Sequence, residues 1–119
     1  MIGIIAAMQK EMDNIMSRMG TYVKESAGGV DFIRGEIGGV ELVCSVCGIG
    51  KVFAAMCAQT MILRYAPDRL INTGVAGSLC AELDIGDFVI STDAMYHDFD
   101  CVNFGYPYGK VPGMDVVSF

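Results

Sequence analysis

The stretch INTGVAGSL, Ile71 to Leu79, decides how the chain is read. It opens like the end of a buried strand, DRLIN, and within three positions the side chains shrink to Gly, Val, Ala, Gly and Ser. Leu70 and Ile71 followed by turn residues predict a buried strand. Small residues directly after such a strand leave backbone N–H groups open at its carboxyl end, where open α/β sheets bind ligands. The first expectation is therefore an α/β fold with a bare turn after Thr73 that either faces a ligand or packs closely against a helix.

Two more places have the same character. IGIIAA, Ile2 to Ala7, predicts a central strand, and CGIGK, Cys47 to Lys51, follows an alternating segment, VELVCSVCG. Between them, Met8, Met12, Ile15, Met16 and Met19 recur at the spacing of one helix face, with Gly20 as a fitting stop. From Tyr22 to Cys47, short segments separated by AGGVD and GGV predict an antiparallel meander. Lys51 to Tyr65 is apolar nearly all round, which predicts a helix packed on more than one side and ended by Pro67. IGDFVISTDAMYHD, entered at Gly86, predicts a further strand. Strand and helix alternating around a meander give an α/β class with a mixed sheet. The closing GMDVVSF brings no helix, so the chain is expected to stop where such a domain would continue.

Composition narrows the function classes. The 119 residues suffice for one domain with a core and not for two. Exchanging the five Tyr for the fifteen Gly raises the 53% apolar share to about 61%, against about 45–50% in ordinary soluble domains. The densest run, VFAAMCAQTMIL, is broken by Gln59 and Thr60 and falls short of the roughly 20 residues of a spanning helix. MIGIIAAM lacks the flanks of a signal peptide. A cytoplasmic protein is expected, its surplus apolar surface covered by a partner or by more polypeptide. Net charge is −6 and the eight Lys and Arg are scattered, which leaves no footprint for nucleic acid.

Several constellations fail as motifs. CGIGKV has Ser45 and Val52 where a P-loop needs Gly and Ser or Thr, and Phe53 where G-x-G-x-x-G needs its last Gly. Cys44 and Cys47 form a CxxC, but strand positions three apart face opposite ways, so core cysteines are expected. His97 with Asp98 and Asp100 lacks a second ligand pair, so no metal is expected. Glu11 stands apart: it lies in the first turn of a helix that directly follows a central strand. The helix N-terminus favours its ionised form, which suits a proton acceptor at neutral pH, although an ordinary first-turn Glu reads the same way. Phe99, Phe104, Tyr106 and Tyr108, with Pro107 and Pro112, predict an irregular aromatic loop over a ligand or a neighbouring subunit.

IGIIAAMQKE, GIGKV, INTGVAGSL and YHDFDCVNFGYPYGKVPG occur in the order and spacing of the bacterial methylthioadenosine/S-adenosylhomocysteine nucleosidases, within the purine nucleoside phosphorylase superfamily. The chain resembles that family from Ile2 to about Pro112. The resemblance implies a three-layer phosphorylase/hydrolase-like α/β fold with a mixed central sheet, of which residues 1–119 are the N-terminal half of a single domain. It also implies a homodimer without cofactor that hydrolyses the N-glycosidic bond of adenosine thioethers, releasing adenine in methionine salvage. Glu11 matches the family's activator of the nucleophilic water. Met8 and Ile49 match residues around ribose and water, and Val75, Ala76 and Gly77 residues beside the nucleoside. Phe104 and Pro112 match residues that cover the thioether end of the neighbouring subunit's substrate. Many relatives carry Ser at the position of Val75, so no hydroxyl contact is carried over. The family's ribose-binding Glu and purine-protonating Asp match nothing in this chain, which is therefore expected to be nearly inactive alone. A nucleoside phosphorylase and a non-catalytic, dimerising nucleoside-binding protein are the alternatives.

Overall fold

The structure, a computed structural model, describes all residues from Met1 to Phe119. They fall into two compact units, Met1–Gly77 and Ser78–Phe119.

In the first unit the elements run β1 (Ile2–Ala6), α1 (Gln9–Arg18), β2 (Tyr22–Ala27), β3 (Val30–Ile37), β4 (Val40–Val46), α2 (Lys51–Tyr65) and β5 (Arg69–Thr73). They build one mixed five-stranded sheet in the order β2-β3-β4-β1-β5. The meander β2-β3-β4 is antiparallel, while β1 runs parallel to both β4 and β5. Alternation along β1 explains the layering. Ile4 and Ala6 pack with Leu42, Cys44, Met12 of α1 and its cap Met19, whereas Ile5 packs with Phe32, Val43 and the α2 residues Cys57 and Met61. The helices thus cover opposite faces, giving the expected three layers. Cys44 and Cys47 likewise pack in opposite clusters, as strand geometry requires.

Gly3 lets α2 come close. A Cβ there would lie 2.6 Å from Met61 Sδ, 2.9 Å from Leu70 Cδ1 and 3.2 Å from Pro67 Cγ. The far end of α2 is also tied to the meander through Glu25, which accepts hydrogen bonds from Arg64 at 3.1 Å and from the Tyr65 hydroxyl at 3.0 Å. The Tyr65 ring meets Phe32 edge-on at 5.2 Å.

Four expectations are corrected. The strand of INTGVAGSL is β5, and it is an edge strand with Leu70 and Ile71 exposed rather than buried, because side chains point to the two sheet faces and neither core cluster under the helices extends to β5. Helix α2 spans the expected residues but packs on one side: Cys57 and Met61 are buried while Val52, Met56 and Leu63 face outward. Gly20 is not the stop of α1; the helix is capped at Met19 in an extended conformation, its N–H donating to the Met16 carbonyl. Helix α2 does stop ahead of Pro67, as expected: its last residue is Tyr65 and its cap Ala66 adopts the left-handed conformation with φ 44°.

The fourth correction concerns the second unit. IGDFVISTDAMYHD forms no strand, since no neighbouring strand offers a ladder to its backbone; an isolated bridge pairs Met95 with Ser118 instead. The bridge is flanked by reciprocal bonds between Ala94 and Phe119, at 3.1 and 3.0 Å. The aromatic segment beyond it is irregular, as expected, apart from a 3₁₀ turn at Val102–Phe104.

Candidate active site

The parallel pairing of β1 with β4 and β5 decides where chemistry can gather. Ala6 lies in register with Val46 on one side and with Thr73 on the other, so the three small-residue turns leave the same edge of the sheet. The β1 and β4 turns are tied together as the Cys47 N–H donates to the Ala6 carbonyl at 2.9 Å.

Into this edge projects Glu11, the third residue of α1. Its Oε2 accepts the Met8 N–H at 2.9 Å and its Oε1 accepts the Val75 N–H at 3.0 Å. The first bond caps the helix, satisfying an N–H that the helix leaves unpaired. The second reaches across 64 positions of sequence to the turn after β5. Both stabilise the anion: the Val75 N–H first and the Met8 N–H second hold the Glu11 carboxyl below its ordinary value, against a smaller opposing effect of desolvation. An ionised carboxylate offers about four lone-pair sites, so two backbone donors leave room for a water.

The predicted site residues are distributed as follows. Glu11, Met8 and Val75 are joined by the two hydrogen bonds just described. Val75 takes part through its backbone while its side chain is exposed, as are Ala76 and Gly77 beside it. Ile49 is exposed in the turn between β4 and α2, at the same sheet edge. Phe104 and Pro112 belong to the second unit, Phe104 closing the 3₁₀ turn and both exposed. Cys47 adjoins the site as a neutral thiol, pushed up chiefly by burial and secondarily by the charge of Glu11.

Sequence reasoning missed Gly74. A Cβ there would stand 2.6 Å from Glu11 Oε1, whereas one at Gly77 would meet nothing within 4 Å. The available signal was position alone: Gly74 is the first residue past β5.

Comparison with known proteins fits this arrangement. A family model described as the Phosphorylase superfamily matches residues 1–118. The 5'-methylthioadenosine/S-adenosylhomocysteine nucleosidase of Anoxybacillus flavithermus is 42% identical over 113 residues, 95% of this chain and 49% of the relative. Among solved structures, the corresponding nucleosidase of Neisseria meningitidis, in complex with methylthio-immucillin-A, superposes with a TM-score of 0.92 at 37% identity, over 99% of this chain and 51% of the other. That of Colwellia psychrerythraea, in complex with adenine, gives 0.94 at 36% identity, over 99% and 48%. The chain spans about half the length of the relatives it matches. With a family match over nearly every residue and a sheet edge that gathers its turns around one carboxylate, this chain belongs to the phosphorylase superfamily.

Proposed function

We propose that residues 1–119 are the N-terminal half of a single nucleosidase domain that hydrolyses the N-glycosidic bond of adenosine thioethers such as methylthioadenosine and S-adenosylhomocysteine. The observation that carries this reading is the bond from the Val75 N–H to Glu11, which sets a carboxylate beside a turn of small residues at the strand ends. Similarity to nucleosidases solved with a nucleoside analogue and with adenine supports the choice of substrate.

In the proposed reaction the nucleoside lies against Val75, Ala76 and Gly77, with Met8 and Ile49 around the ribose and the water. The bond from the anomeric carbon to the purine nitrogen breaks, its electron pair leaving with the purine, and the sugar gains oxocarbenium character. A water held by the remaining lone pairs of Glu11 attacks that carbon and yields its proton to the carboxylate. The low pKa of Glu11 is no obstacle, because a water bonding to a cationic carbon becomes a strong acid. Protonation of the departing purine is worth about 10²–10⁴-fold, and its donor belongs to the half of the relatives that this chain does not span. The isolated 119-residue chain is accordingly slow or inactive.

The same reading carries a homodimer in which Phe104 and Pro112 cover the neighbouring subunit's substrate. The outward side of α2, with Val52, Met56 and Leu63 exposed, supports packing of a second copy. It also carries a cytoplasmic location and a place in methionine salvage; no helix of the chain is long and apolar enough to cross a membrane.

Adenine release from methylthioadenosine by the complete nucleosidase domain, with and without phosphate, tests the proposal. Release independent of phosphate, reduced about 10²-fold or more by Glu11→Gln, is expected. A strict phosphate requirement would replace the hydrolase with a phosphorylase. Saturable nucleoside binding without release, by a protein that is naturally this length, would leave a non-catalytic, dimerising binding protein.

A further inference from the structure

We propose that Gly74 is a positioning residue: its missing side chain leaves the space in which the Glu11 carboxylate bridges the Met8 and Val75 amides, so that the base itself fastens the β5 turn to α1.

The three atoms nearest to a Cβ at Gly74 all belong to Glu11: Oε1 at 2.6 Å, Cδ at 3.0 Å and Oε2 at 3.3 Å. No backbone atom is among them. Gly74 is also absent from the glycines with positive φ, so its backbone conformation is open to any residue and the requirement is for space alone. An alanine would therefore leave the strand intact and push the carboxylate away, because the flexible end of Glu11 is what can move.

The fastening matters because β5 is the last strand of the sheet, and the ladder with β1 ends at the pair of Ala6 with Thr73. Beyond that pair the Val75 N–H is the turn's bond back to the body of the unit. A charged acceptor makes a hydrogen bond roughly twice as strong as a neutral one. Proton uptake by Glu11 therefore loosens the turn, which ties the state of the base to the hold on residues 75–77. The catalytic meaning of this rests on the nucleosidase reading; the fastening itself does not.

The test uses the 119-residue chain without substrate, following the Glu11 carboxyl titration and the Val75 amide exchange by NMR. In Gly74→Ala the Glu11 midpoint rises toward the ordinary carboxylate value and Val75 exchanges about tenfold faster, as for loss of one charge-assisted bond. In Glu11→Gln, which keeps Gly74, Val75 exchange also quickens. Gly20→Ala, where a Cβ meets nothing within 4 Å, changes neither. An unmoved Glu11 midpoint in Gly74→Ala, or unchanged Val75 exchange in Glu11→Gln, overturns the proposal. So does a quickening shared equally by the Ile4 and Ile5 amides, which would make Gly74 a general packing residue. Failure of adenine release leaves these results untouched, and normal release with unmoved readouts sinks this inference alone.

Discussion

In residues 1–77 an apolar run becomes a buried strand; in residues 78–119 a comparable run does not. Ile4 and Ile5 of β1 are 9% and 3% exposed, while Ile85 and Phe88 are 108% and 101% exposed. The runs IGIIAA and IGDFVIST differ little in β-forming residues, so propensity does not separate them. What separates them is company. Strand β1 has β4 on one side and β5 on the other, so its backbone groups find ladder partners, and helices cover both its faces. Nothing in the Ser78–Phe119 unit offers IGDFVIST a ladder. A strand is a relation between segments.

Substitutions in the two regions should separate them. The largest effect is expected from Phe32→Ala, which empties a fully buried site against Tyr65 and costs about 3–5 kcal/mol in urea unfolding. Phe88→Ala, the same truncation on an exposed ring, should stay within about 0.5 kcal/mol. An equal loss at Phe88 would mean that the second region buries its apolar side chains in solution, and the contrast would fall. Next comes Gly3→Ala, where the added methyl crowds Met61, Leu70 and Pro67 and should cost about 1–3 kcal/mol by the same measurement. A neutral result would show that α2 lies farther from β1 than the packing described above.

The smallest effect is one of pH. Backbone N–H groups depress the Glu11 pKa in the folded chain, so the carboxylate contributes stability that is complete above its unfolded value near 4.5 and is lost as pH falls through the lower folded value. Unfolding midpoints measured downward from neutrality should fall in that acid range, and Glu11→Gln should flatten part of the fall. A slope unchanged by the substitution would mean that Glu11 is not held by the Met8 and Val75 amides.

Much of the first region was legible in advance because its periods are clean. The four-and-three spacing of Met12, Ile15, Met16 and Met19 marked the sheet-facing side of α1, and AGGVD and GGV marked the turns of the meander. Glu11 was legible as a candidate because it follows a central strand in the first turn of a helix. Its partner was not: the Val75 contact is made by a backbone N–H, which any residue but proline supplies and no side chain announces. For the same reason a change of side chain at position 75 leaves this contact intact. The exposed side of α2 was misread because an apolar helix looks alike whether a second surface covers it or not.

By itself the sequence determined local conformation, the face each apolar residue of β1 and α1 presents, and the turn chemistry, because these depend on neighbours within about one helical turn or one strand pleat. Tertiary structure alone decided that β5 stands at the edge of the sheet, that IGDFVIST stays unpaired, and that Gly74 is bare to admit a carboxylate from 63 positions away. Each of these turns on which segments meet in space, and the backbone N–H and C=O groups that nearly every residue carries do not announce in the sequence which partner they will find.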